Sequence, residues 1–148
     1  MERNFVKYIH DFFKELIELH GFEIKSEINN ETSYRLEYSS KDFVIKIEKY
    51  FREFYVSLYK LEDLDNEINL FNLLEYLKQG TSDVPKSEYF RKEKDVEECY
   101  RKQLKYISSV IYNNYAVIKE FFDEKYKSRM TDFEKYWKNQ HPELYKTS

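Results

Sequence analysis

The side chains that most often carry catalysis or bind metals are few and scattered in this sequence. The three histidines, His10, His20 and His141, lie far apart, and none forms a metal-binding spacing with another histidine or with the cysteine. The only thiol, Cys99, follows two glutamates, whose negative charge disfavours the reactive thiolate. We therefore predict no catalytic residue, no metal and no cofactor, and interpret Cys99 as a half-buried helix residue.

Glycine is too rare for a phosphate-binding loop. The chain has 2 glycines, Gly21 and Gly80, which cannot belong to one local motif. Nucleotide-binding loops need several glycines within a few residues, because the backbone approaches the phosphates closely. The sequence thus lacks the P-loop, the dinucleotide fingerprint and the kinase-type loop.

The densest acidic group is Glu62, Asp63, Asp65 and Glu67. Its spacing is not that of a calcium loop, which has a central glycine and a distal glutamate. Two interpretations remain: a solvated acidic connection before a helix, or a face that docks on another protein.

Basic residues concentrate between positions 86 and 105, but acidic residues are interleaved with them. Opposite charges at helical spacing pair with one another along a helix. A surface that binds phosphates would not be neutralised in this way, so we predict no nucleic-acid partner.

Two predicted strands are joined by a cluster that combines aromatic rings with an arginine: Tyr50, Phe51 and Arg52, together with Phe54 and Tyr55. This mixture is typical of the residues that dominate the energy of protein interfaces. Alternatively, the rings fold over the edge of the sheet as a lid.

The elements that position these residues begin with a helix over residues 3–20, which has a wide apolar stripe and is followed by Gly21. Apolar and polar residues then alternate, which predicts strands over 22–28, 32–38, 43–48 and 54–59. Leu36, Ile45 and Val56 should share the buried face. On the opposite face, Val44 and the tyrosines of the last strand indicate partial cover.

Helices are predicted for the rest of the chain. The first is capped by Asp65 or Asn66, carries Glu67 in its first turn and ends at Gly80. A loop follows over 81–87. Residues 87–127 form one long helix, or two helices broken near Asn113-Asn114. The spacing of Thr131 and Glu134 predicts a capping box at the start of a last short helix, which Pro142 closes.

Composition indicates a globular protein. Of the 148 residues, 41% are hydrophobic and 36% are charged, and 25 basic against 28 acidic residues give a formal net charge of −3. The balance provides no general attraction to an anionic membrane, and no apolar run is long enough to span one. With one cysteine and no apolar leader, the expected compartment is the cytoplasm.

One resemblance to known proteins can be stated. The run YRLEYSSKDFVIKIEKYFREFYVSLYKL, followed by INLFNLLEYLKQG, is similar to a pattern in small uncharacterised bacterial α+β proteins. In them, a strand with an ExxS turn, an alternating strand, a turn with an arginine and another strand lead into a leucine-rich helix. Some of these are regarded as immunity partners of bacterial toxins. The similarity covers about residues 3–80 and implies no catalytic residue.

These observations predict one α+β domain over residues 1–148, with a helix–meander–helix half at 1–80 and a helical half at 81–148. The function we favour is non-enzymatic binding of another protein, such as a toxin domain. An enzyme whose site assembles only in the fold, and a homo-oligomer joined through the long helix, are the alternatives. The predicted protein-binding residues are Tyr50, Phe51, Arg52, Asp63, Asp65 and Glu67, and charge reversal at the two aspartates should weaken a complex.

Overall fold

The helices and strands follow the predicted α+β order. A computed structural model describes residues 4–145; residues 1–3 and 146–148 lie outside the described residues, and with them the predicted helix start at residue 3. Numbered in chain order, the elements are α1 (Asn4–His20), β1 (Glu23–Asn29), β2 (Tyr34–Ser39), β3 (Phe43–Tyr50), β4 (Glu53–Lys60), β5 (Ile68–Asn69), α2 (Leu70–Leu77), α3 (Val96–Asn113), α4 (Tyr115–Phe121), α5 (Tyr126–Gln140) and a short 3-10 helix (Pro142–Tyr145).

The register of the sheet is the one that the apolar alternation predicts. In residues 4–145 the strands form one antiparallel sheet of five, in the order β1-β2-β3-β4-β5. Leu36 lies opposite Ile47, which in turn lies opposite Val56, and all three are buried. We call their side of the sheet the inner face and the opposite side the outer face.

The edge strand β1 departs from simple alternation. A β-bulge between Ile24 and Ser26 places Ile24 opposite Tyr38 on the inner face, but Ile28 opposite Arg35 on the outer face. The predicted first strand is confirmed, but both isoleucines are more than two-fifths exposed, so its alternation does not mark a buried face. Bulges and charged residues are common on edge strands, because they discourage pairing with another chain.

The start of α2 differs from the prediction. Ile68 is drawn into the short strand β5, where it pairs with Leu58, and the helix begins after Asn69. The Asn69 side chain accepts hydrogen bonds from the backbone N–H groups two and three residues further on, at 2.9 and 3.2 Å. The predicted cap at Asp65 or Asn66 is therefore wrong, because sheet pairing delays the helix.

Both glycines adopt the left-handed conformation. Gly21 has φ +72° directly after α1, as predicted for a helix end, and Gly80 has φ +84° three residues after α2 ends at Leu77.

The predicted helix does not begin at residue 87, since the chain has neither helix nor strand from residue 78 to residue 95. Phe90 has φ +51°, which no right-handed helix permits, and the Glu88 carboxylate accepts a hydrogen bond from its N–H at 2.8 Å. The helix α3 instead begins after Asp95, whose carboxylate accepts from the Glu98 N–H at 3.1 Å.

The two helical alternatives for the following residues are resolved in favour of a break. The helix α3 ends at Asn113 and α4 begins at Tyr115. The predicted capping box at Thr131 is wrong, because that residue lies inside α5, where its hydroxyl donates to the Lys127 carbonyl at 3.0 Å.

Helices cover the inner face of the sheet. On α1, the Phe5 ring lies 5.2 Å from the Tyr34 ring and the Phe13 ring 6.2 Å from the Tyr38 ring. The helix α3 packs on α1 and β4, and one cluster of buried residues extends from Phe5 to Phe133. Of the helices in residues 4–145, none has the length and apolar character that crossing a membrane requires.

Candidate protein-binding site

The two groups of predicted binding residues lie at opposite ends of β4. Tyr50, Phe51 and Arg52 form the hairpin that precedes this strand, and the acidic connection follows it. A strand of this length separates them by roughly 25 Å. The structure therefore does not bring them together into one site.

Two of the three predicted acidic residues make contacts within the fold. Asp63 accepts a hydrogen bond from the Tyr126 hydroxyl at 2.6 Å and another from the Asn66 amide at 2.8 Å, and these bonds lower the pKa of its carboxyl group. Glu67 forms an ion pair with Lys46 at 2.5 Å. Asp65 is exposed.

The hairpin, in contrast, presents its aromatic side chains to solvent. Tyr50 is 64% exposed and Phe51 is 76% exposed, with ring centroids 4.6 Å apart and nearly perpendicular. Tyr50 and Phe51 thus do not form the lid over the sheet edge that the alternative predicts, whereas Phe54 of the same cluster is buried. Phe51 also has φ +56°, a conformation that a bulky residue rarely adopts.

The backbone of this hairpin is held by a buried amide. Gln103 is fully buried on α3; its oxygen accepts from the Phe54 N–H at 3.1 Å, and its nitrogen donates to the Arg52 carbonyl at 2.6 Å. The Arg52 guanidinium donates to the Glu93 carbonyl at 2.7 Å. The tip is therefore fixed although its rings are exposed.

A segment of the long loop, residues 87–93, packs beside the hairpin, and we call it the strap. Its Tyr89 ring lies 5.7 Å from the Tyr55 ring on the outer face. Arg91 forms an ion pair with Glu53 at 2.8 Å and places its guanidinium 5.1 Å from the Tyr89 ring centroid. Loops of this length are often functional.

Hydrogen bonding sets the charges at this junction. The Tyr55 hydroxyl donates to Glu53, and this bond, together with Arg91, lowers the pKa of the Glu53 carboxyl group. The same bond raises the pKa of Tyr55 to about 12. At neutral pH the glutamate is therefore charged and the tyrosine is neutral.

The hairpin and the strap enclose an open cavity of about 350 Å³. We call it the hairpin site; its lining residues are Tyr50, Phe51, Arg52, Glu53, Tyr55, Tyr89, Arg91 and Cys99. Aromatic walls with arginine at the rim suit a partner's apolar side chain with a polar neighbour.

Cys99, interpreted as half-buried, is fully buried. Its Sγ donates to the Tyr89 carbonyl at 3.4 Å, so within the described fold the thiol helps to hold the strap. In residues 4–145 there is no group of three or more His, Cys, Asp or Glu side chains that could hold a metal ion.

The histidines lie in three separate places. His10 contacts Glu27 at 3.2 Å, the His20 ring lies 3.9 Å from the Tyr115 ring, and His141 contacts Glu75 at 3.2 Å.

Sequence reasoning missed Gln103, Tyr89 and Arg91, all of which contribute to the hairpin site. Gln103 carried a usable signal, since it is a polar residue within the apolar stripe of a predicted helix. No feature of the sequence indicates Tyr89 or Arg91, because the pattern predicts a helix over their segment.

In comparisons with family models, with curated proteins and with solved structures, no match to the chain was found.

Proposed function

We propose that this chain is a non-enzymatic protein-binding module, and specifically a cytoplasmic immunity protein that neutralises a bacterial toxin. The observation that carries the proposal is the pair of exposed rings, Tyr50 and Phe51, on a hairpin whose backbone is held by a hydrogen bond from buried Gln103. The toxin as the partner is what the resemblance in the sequence implies.

Physical chemistry supports binding at this position. Burying one exposed phenylalanine in an interface contributes roughly 1.5–3 kcal/mol. Gln103 already holds the hairpin in one conformation, so little ordering entropy is lost on association. Arginine and tyrosine at the rim provide hydrogen bonds that set orientation.

Of the three predicted acidic residues, Asp65 is the one that the proposal retains as a partner contact. A standard interface covers about 800 Å² on each partner, a patch roughly 30 Å across, which can span both ends of β4. Asp65 is the predicted acid that a partner reaches without breaking a described contact, since Asp63 and Glu67 bind Tyr126 and Lys46.

The test uses the product of a toxin-like reading frame adjacent to this gene. Growth of cells that express this product should be rescued by the wild-type chain but not by the double variant Tyr50→Ala/Phe51→Ala. With purified proteins, calorimetry should show a dissociation constant raised at least about 30-fold, as expected for the loss of interface hot spots.

The matched control is the double variant Ile17→Ala/Leu19→Ala, which removes two exposed apolar side chains from α1. It should bind like the wild type. Equal weakening by both double variants would reject the hairpin site, and a toxin-like product that the wild type does not bind would reject the immunity role. Asp65→Lys, measured against the same partner, tests the acidic end separately.

A further inference from the structure

A second groove lies on the outer face of the sheet and continues from the hairpin site. It encloses about 530 Å³, and Tyr50 and Tyr55 line both cavities. Ile28, Arg35 and Glu48, from three neighbouring strands, line its far part. We call it the sheet groove.

One nitrogen of the Arg35 guanidinium makes no hydrogen bond within the described fold. This nitrogen, Nε, is buried. The cross-strand neighbour of Arg35, Glu48, pairs instead with Lys46, at 3.2 Å. Leaving a buried donor of a charged group unpaired is unfavourable, and a planar guanidinium matches the geometry of a carboxylate.

The charge of the two joined cavities also differs from that of the whole chain. The chain has a formal net charge of −3. The cavities, however, are lined by more basic than acidic side chains: Arg35, Lys49, Arg52 and Arg91 against Glu48 and Glu53. Glu53 and Arg91 neutralise each other, and Glu48 is paired with Lys46 outside the lining, so the cavities keep an excess of positive charge. An acidic ligand is therefore the complementary one.

We infer that the sheet groove receives a segment of the partner protein that places an Asp or Glu carboxylate on Arg35 and an adjacent apolar side chain against Tyr50 and Tyr55. This inference rests on the proposed function and specifies the chemistry of the partner. Single-stranded nucleic acid, whose bases stack on tyrosine and whose phosphates pair with arginine, is the competing ligand, and the test separates the two.

The test is selection of a random peptide display library on the purified wild-type chain. Enriched peptides should carry an acidic residue next to an aromatic or aliphatic one. Their affinity should fall about tenfold or more for Arg35→Gln. It should fall less for Arg35→Lys, which retains the charge but not the planar fork.

Lys41→Gln is the matched control, because it removes one positive charge from an exposed turn at the other end of the sheet. It should bind the peptides like the wild type. Thermal melting of each variant separates loss of binding from loss of folding, and Arg35→Lys preserves the test if Arg35→Gln unfolds.

Four results would overturn the inference. Peptides that depend on Phe51 but not on Arg35 would refute the sheet groove and leave the proposed function in place. Enrichment without acidic residues, or no enrichment, would refute the stated chemistry. Salt-sensitive retention on single-stranded DNA that Arg35→Gln abolishes, without acidic peptides, would assign the groove to nucleic acid.

Discussion

Gln103 shows how one polar side chain in the core determines what happens at the surface. Its amide satisfies one backbone donor and one backbone acceptor of the β3–β4 hairpin, which lies 49–51 positions earlier in the chain. A leucine would fit the apolar stripe of α3 equally well by pattern. The glutamine is therefore explained by the hairpin and not by the helix that carries it.

Replacement of Gln103 by leucine should lower the free energy of unfolding by about 2–4 kcal/mol. The Phe54 N–H and the Arg52 carbonyl would lose their partner, and each unpaired buried group costs about 1–3 kcal/mol. Denaturant unfolding measures the loss. Gln79→Leu, at an exposed position, is the control and should change stability by less than about 0.5 kcal/mol. Equal losses for the two variants would contradict this role for Gln103.

The hydrogen bond between Tyr126 and Asp63 predicts a specific pH dependence. Because this bond lowers the pKa of Asp63 in the folded state, the carboxylate contributes stability above its unfolded pKa of about 3.9. This contribution is lost as the pH falls through the lower folded-state pKa. Between about pH 4.5 and pH 3, unfolding free energy should therefore fall less steeply for Asp63→Asn than for the wild type.

Tyr126→Phe provides the matched test, since it removes the donor and keeps the ring. It should also reduce the slope, and the double variant Asp63→Asn/Tyr126→Phe should be no shallower than Asp63→Asn alone. Urea unfolding at a series of pH values gives the slopes. Slopes that match the wild type in both single variants would show that this bond does not control the titration of Asp63.

At the scale of elements, the sequence predicted which helices and strands exist better than it predicted where they begin and end. The strands over Tyr34–Ser39, Phe43–Tyr50 and Glu53–Lys60 were recognisable because alternation reports directly on a half-buried sheet. The start of α2 was not, because it depends on pairing between Ile68 and Leu58, which are ten positions apart. The cap of α3 at Asp95 was not predicted either. Contacts with the rest of the fold, such as the bond from Cys99 to the Tyr89 carbonyl, keep the preceding segment from becoming helical.

The position of the α2 cap can be tested by alanine substitution. Asn69→Ala should cost about 1 kcal/mol of unfolding free energy, because two N–H groups of the first helical turn lose their acceptor. Asn66→Ala removes one of the two caps that the sequence pattern predicts, Asp65 and Asn66, and should cost less than about 0.5 kcal/mol. Denaturant midpoints at constant slope give both values. The reverse order would place the helix start at the earlier residue.

At the scale of the whole molecule, the predicted inner face was correct and the predicted site was only partly assembled. Leu36, Ile45 and Val56 are all buried on one face, as the alternation requires. The hairpin site needs the β3–β4 turn, the strap and α3, which are distant in sequence. The exposed rings could be proposed from residue types, but the side chains that position them became visible only with the tertiary fold.

The burial of α3 argues against the long helix as a dimerisation seam. Its apolar stripe, Leu104, Ile107 and Ile111, faces α1 and β4 within the same chain and is almost inaccessible to solvent. A coiled-coil seam needs such a stripe to remain available for a second helix. We therefore expect multi-angle light scattering of the purified protein at micromolar concentration to give the mass of one chain, 18.4 kDa. Two results together would contradict this expectation: a wild-type mass of twice this value, and a monomer mass for the variant Val96→Lys. They would show that α3 pairs with a second copy through the beginning of the helix, where Val96 is exposed.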